Sequence, residues 1–86
     1  MNQVEIKAEI RSIIHEAAKR NNIRIKSIDD NASLLKQGIL DSSGLIELLA
    51  AVENKFDILI NFAENDPDIF SSVNGLSSIV ESLLSK

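Results

Sequence analysis

Gly38-Ile39-Leu40-Asp41-Ser42-Ser43-Gly44-Leu45-Ile46-Glu47-Leu48-Leu49 is the stretch that decides the fold. A glycine-punctuated segment ends at Asp41, and a serine hydroxyl then opens a strongly apolar run. Asp or Ser ahead of such a run marks a helix start, because a short side-chain oxygen can accept from the open N–H groups of the first turn. Those N–H groups point outward and carry the positive end of the helix dipole. A phosphate attached to Ser42 is favoured there. Ordinary capping accounts for the same residues without any phosphate, so the tetrapeptide alone leaves both readings open.

Downstream, Leu45, Leu48, Leu49, Val52 and Phe56 share one face at helical spacing and predict a helix from Ser42 to about Lys55 or Phe56. Ile46, Ala50 and Ala51 widen the apolar surface, while Glu47, Glu53 and Asp57 add acidic character outside it. Upstream, residues 21–40 read as a long ordered loop. Ile23, Ile25 and Ile28 alternate with Arg24 and Lys26 as a strand would, but no second strand offers itself as a partner. An extended segment pinned by the isoleucines is expected instead. Asp29-Asp30-Asn31-Ala32-Ser33 is turn-rich, and Ser33-Leu34-Leu35 suits a short helical turn. Loops this long in compact domains are often functional.

Val4, Ile6, Ile10, Ile13, Ile14, Ala17 and Ala18 predict a first helix from about Asn2 to Arg20, stopped at Asn21-Asn22. Ile58-Leu59-Ile60 is expected to cross the core edge. Asp66-Pro67 starts a short helix to about Phe70, since Asp caps and Pro suits the first helical position. Val73, Leu76, Ile79, Val80, Leu83 and Leu84 trace a last helix from near Ser72. Gly75 reads as a weak point in it, costing about 1 kcal/mol relative to Ala. The expected fold is all-α: one domain over residues 1–86, built as a small four-helix bundle with three long helices and a short one.

Eighty-six residues bury a limited core and do not readily form a deep cleft, so an enzyme is not expected. Disulfides and thiolate metal sites are excluded by the lack of cysteine, and a single histidine argues against a typical zinc site. His15 has no nucleophile or orienting group in evident reach, so it reads as a surface residue. With no leader or apolar span apparent, a soluble cytoplasmic protein is expected, without membrane insertion. The net charge of −4 divides unevenly, with +3 over residues 1–26 and −7 over residues 27–86. The acidic body disfavours nucleic acid and favours basic partners. The basic segment mixes both signs and reads as a solvated helix face. Phe56, Phe62 and Phe70 are the only aromatics, too few for base-stacking platforms. Glu47, Glu53, Asp57, Glu64, Asp66 and Asp68 lack the spacing of an EF-hand loop. They form either a solvated acidic face or a docking face for basic partners.

The arrangement resembles the acyl and peptidyl carrier proteins over nearly the whole chain. Leu40-Asp41-Ser42 matches that family's modification motif, and the run from Glu47 to Ile58 looks like its second helix and exit. Ser71-Ser72-Val73 is similar to the start of its last helix. The resemblance implies that Ser42 receives 4′-phosphopantetheine from coenzyme A by a separate phosphopantetheinyl transferase. It implies that Asp41 caps the helix and contacts the transferase's metal ion. The cofactor's thiol would hold acyl or aminoacyl cargo as a thioester, raising its local concentration at partner enzymes. Those partners would be an adenylating or acyl-loading enzyme and a downstream acyltransferase or synthase. Ser43, Ile46, Glu47 and Glu53 would contact them, and the carrier would be a monomer. Ser43 departs from the Leu, Met or Phe usual after the modified serine. Asp41-Ser42-Ser43-Gly44 resembles the branch of discrete aminoacyl carriers that includes the D-alanyl carrier proteins. The alternative is an unmodified helical interaction module that binds through the acidic surface of the second helix.

Overall fold

The computed structural model describes residues 2–85. It contains helices α1 (Gln3–Arg20), α2 (Ser42–Phe56), α3 (Pro67–Phe70) and α4 (Val73–Leu84), as the all-α expectation requires. Local chemistry sets each boundary. The Asn2 side chain accepts from Glu5 N–H at 2.9 Å and starts α1. At its other end, Asn22 takes a left-handed φ of 58° and Ile23 N–H donates back to Ala18 at 2.8 Å. Asp66, Ser72 and Asp41 cap the remaining helices through side-chain oxygens.

Tertiary packing supplies what isoleucine-rich α1 lacks in helix propensity. Ile6, Ile10, Ile14 and Ala17 are fully buried against Leu48 and Val52 of α2 and Val73, Leu76 and Val80 of α4. Each large aliphatic side chain buried in this way contributes roughly 1.5–3 kcal/mol before entropy is counted. Leu45, Leu49 and Phe56 complete the buried face of α2, as its spacing predicts.

The loop between α1 and α2 is ordered and has no regular secondary structure. Ile25 and Ile28 pack half-buried against the core as expected, Ile23 is half-buried, and Leu34, Ile39 and Leu40 add anchors inside the core itself. Residues 34–38 form a hydrogen-bonded turn, closed by Gln37 N–H donating to Ser33 at 3.0 Å, that does not continue as helix. Backbone bonds fasten the loop to the other side of the molecule. Leu34 N–H donates to Ser71 at 2.8 Å, and Asn74 N–H donates to Asp30 at 2.9 Å. Arg11 of α1 reaches the Asp30 carboxylate at 2.7 Å.

Gly75 corrects the sequence reading. A Cβ built there would lie 1.8 Å from the Ile69 carbonyl oxygen, so α3 and α4 meet at a distance only glycine permits. Its helix-propensity penalty is accepted because the backbones touch.

Candidate functional site

The shelf that carries Ser42 is built from both sides. Gly38 turns the chain with φ 74°, in open space. Ile39 N–H and Leu40 N–H then both donate to the Leu34 carbonyl, at 3.1 and 3.3 Å. The side chains of Ile39 and Leu40 point into the core, which fixes the backbone leading to Asp41. Asp41 is extended, with φ −91° and ψ −176°, and its Oδ1 accepts from Gly44 N–H at 2.7 Å. Its carbonyl accepts from Leu45 N–H at 2.9 Å. Gly44 sits close beneath this cap. A Cβ there would stand 3.2 Å from both Asp41 Oδ1 and Leu40 Cδ2, tighter than ordinary contact.

Ser42 and Ser43 are the first two residues of α2, and both are exposed. Neither hydroxyl, nor either backbone N–H, finds a hydrogen-bond partner among the described residues. The shelf therefore offers a solvent-facing hydroxyl beside two open amides at the positive end of a helix of 15 residues. That donor set suits a phosphodiester on Ser42 Oγ. Asp41 Oδ2 has no hydrogen-bond partner among the described residues and faces the same solvent. Among those residues no three His, Cys, Asp or Glu side chains group to hold a metal ion. His15 is exposed on α1.

Ser43, Ile46, Glu47 and Ala50 form an exposed stripe that descends α2 from this shelf, with Ile46 68% exposed. Beside it runs an apolar groove of about 340 Å³ between α2 on one side and Phe62 and the end of α3 on the other. Leu45, Leu49 and Ala50 form one wall, and Phe62 and Phe70 the other, their rings meeting edge to face at 5.4 Å. Glu53 lies at the far end of the stripe and is half-buried. Its Oε2 accepts from Ile60 N–H at 2.9 Å, so this carboxylate holds the exit of α2 in place. The structure thus brings Asp41, Ser42 and Ser43 together, with Ile46 and Glu47 one turn below and Glu53 apart. Sequence reasoning missed the wall made by Phe62 and Phe70. The only signal for it was that two of the three aromatics lie close together in sequence, Phe62 before the short α3 and Phe70 at its end.

A family model described as phosphopantetheine attachment site matches residues 8–81. The chain is 30% identical over 73 residues to the D-alanyl carrier protein of Bacillus subtilis (strain 168), covering 85% of this chain and 90% of that one. It is 33% identical over 73 residues to the D-alanyl carrier protein of Streptococcus sanguinis (strain SK36), covering 83% and 85% respectively. The D-alanyl carrier protein of Bacillus velezensis is 29% identical over 73 residues.

Proposed function

This chain belongs to the phosphopantetheine-attachment family, and from that premise we propose that Ser42 is the attachment residue of a discrete aminoacyl carrier. The protein is a carrier, not an enzyme, and its prosthetic group is 4′-phosphopantetheine. The observation that carries the choice of Ser42 is its place directly after the Asp41 cap, as the first residue of α2, with an exposed and unbonded hydroxyl. When attached, the group supplies a terminal thiol that holds cargo as a thioester. The residues of the chain divide the remaining work. Ser42 Oγ is the phosphoryl acceptor, and the Ser42 and Ser43 amides face the phosphate. Asp41 holds the start of α2 through Gly44 and keeps one oxygen for the metal ion of a phosphopantetheinyl transferase. Ser43, Ile46 and Glu47 meet partner enzymes along the exposed stripe, and Glu53 supports its lower end.

The names of the relatives direct the cargo reading to D-alanine or another small amino acid. A small polar cargo needs no internal cavity, and a polar Ser43 beside the arm suits it better than the usual large apolar residue. An adenylating enzyme loads such a carrier, and an acyltransferase unloads it. We place it in the cytoplasm as a single-domain monomer. Among the described residues no helix is long and apolar enough to cross a membrane.

Incubation with coenzyme A, magnesium and a broad-specificity phosphopantetheinyl transferase tests the site by intact mass and peptide mapping. One phosphopantetheine is expected on Ser42, retained in Ser43→Ala and absent from a folded Ser42→Ala. Modification that persists in Ser42→Ala would move the site. Loading of the modified protein by a D-alanine-activating enzyme, set against acylation by a fatty acyl donor, tests the cargo.

A further inference from the structure

Four cations are gathered at one end of α1. Lys19 and Arg20 close the helix, Asn21 and Asn22 turn the chain, and Arg24 and Lys26 follow beyond the turn. All four are exposed, and none lies within ion-pairing distance of a carboxylate among the described residues. Arg11 and Lys55, by contrast, pair with Asp30 and Glu9. Residues 19–26 hold four positive charges and no negative one, while the rest of the chain holds five against thirteen. The nearest acidic residues in sequence are Glu16 and Asp29, which flank the segment on either side.

Local geometry fixes this cluster. The left-handed Asn22 and the Ile23-to-Ala18 bond fold the chain back onto α1. Ile23 and Ile25 are half-buried, while Arg24 and Lys26 alternate with them and are exposed. Lys19 and Arg20 complement the negative end of the helix dipole. Arg24 and Lys26 lie beyond the helix, so the dipole does not account for them.

We propose that this basic pole seats the protein on an anionic lipid surface. None of the described grooves is lined by its residues. A planar, fluid array of phosphates needs no groove and adapts to cations spread along such a segment. The long aliphatic stems of Lys and Arg, together with the half-exposed Ile23 and Ile25, add apolar contact at the headgroup level. The segment has no aromatic residue to stack nucleic-acid bases.

The proposal does not depend on which serine is modified, and the unmodified full chain tests it. Co-sedimentation is measured with vesicles of phosphatidylcholine alone and of phosphatidylcholine mixed with phosphatidylglycerol, at about 20 mM and about 150 mM salt. Binding is expected only to the mixed vesicles, and weaker at the higher salt. It should fall at least about tenfold in R24E/K26E, while K36E binds as the parent does. Circular dichroism of each variant establishes that it is folded. Absence of binding to mixed vesicles at low salt would overturn the proposal. So would equal binding to neutral vesicles, an equal loss in K36E, or equally tight binding to a short RNA that depends on the same two residues.

Discussion

At the scale of single residues, two positions of α2 and α4 show how a local rule is overridden by what the residue touches. Propensity alone ranks Gly75→Ala as stabilising by about 1 kcal/mol. The added methyl would meet the Ile69 backbone carbonyl, which cannot swing aside as a side chain could. The variant should instead lose roughly 1–3 kcal/mol, seen as a lower melting temperature by about 4–8 °C per kcal/mol. A melting temperature at or above that of the parent would show that α3 is free to move away from α4. Asp41 is the second case. Asp41→Ala removes the acceptor for Gly44 N–H and should cost about 1 kcal/mol, whereas Asp41→Asn keeps an acceptor and most of that stability. Both substitutions remove the carboxylate proposed to meet the transferase's metal ion. Slow phosphopantetheinylation of the well-capped Asn variant would separate that role from capping; a parent-like rate would remove it.

At the scale of elements, α1, α2 and α4 were legible because each is long and carries one apolar stripe, a signal repeated over several turns. The loop between α1 and α2 was legible only as a loop. Leu34 and Leu35 are neighbours of the same type, yet Leu34 is fully buried and Leu35 is 39% exposed. Nothing in the local pattern separates them, because the choice is made by Ser71 across the molecule, whose carbonyl takes the Leu34 N–H. Leu34→Ala should therefore cost about 2–5 kcal/mol, as a core truncation does, and Leu35→Ala less than about 0.5 kcal/mol. Chemical denaturation of the two variants checks this; equal effects would mean that the loop is not anchored through Leu34. Glu53 was legible as a charge but not as a tether. Its bond to Ile60 N–H joins residues seven apart across the turn at Asp57, which helical periodicity cannot foresee. The capped start of α2 was readable because Asp41, Ser42 and Gly44 lie within four consecutive residues. The aromatic wall was not, because it is assembled from a separate segment.

At the scale of the whole molecule, the question is how a small bundle keeps an exposed hydroxyl in a fixed place at the end of a 21-residue connection. The connection is held at several points rather than one. Asp30 joins it to α1 through Arg11 and to α4 through Asn74, Leu34 joins it to Ser71, and Ile39 and Leu40 sink into the shared core beneath Ser42. A loop fastened in this way cannot open without exposing apolar surface common to α1, α2 and α4, so it belongs to the same cooperative unit as the helices. The segment of residues 59–65 has fewer such ties, with Leu59 85% exposed and Phe62 41% exposed. Native-state hydrogen exchange should therefore show the Leu34 and Asn74 amides exchanging only with global unfolding, alongside those of Ile10 and Ile14. Amides of residues 61–65 should exchange through smaller openings. A Leu34 amide that exchanged independently of Ile10 would mean that Ser42 sits on a mobile loop. Protection equal to that of α1 would mean that a carrier of this build presents a stationary attachment point, and that its reach between enzymes comes from the phosphopantetheine arm and not from the protein chain.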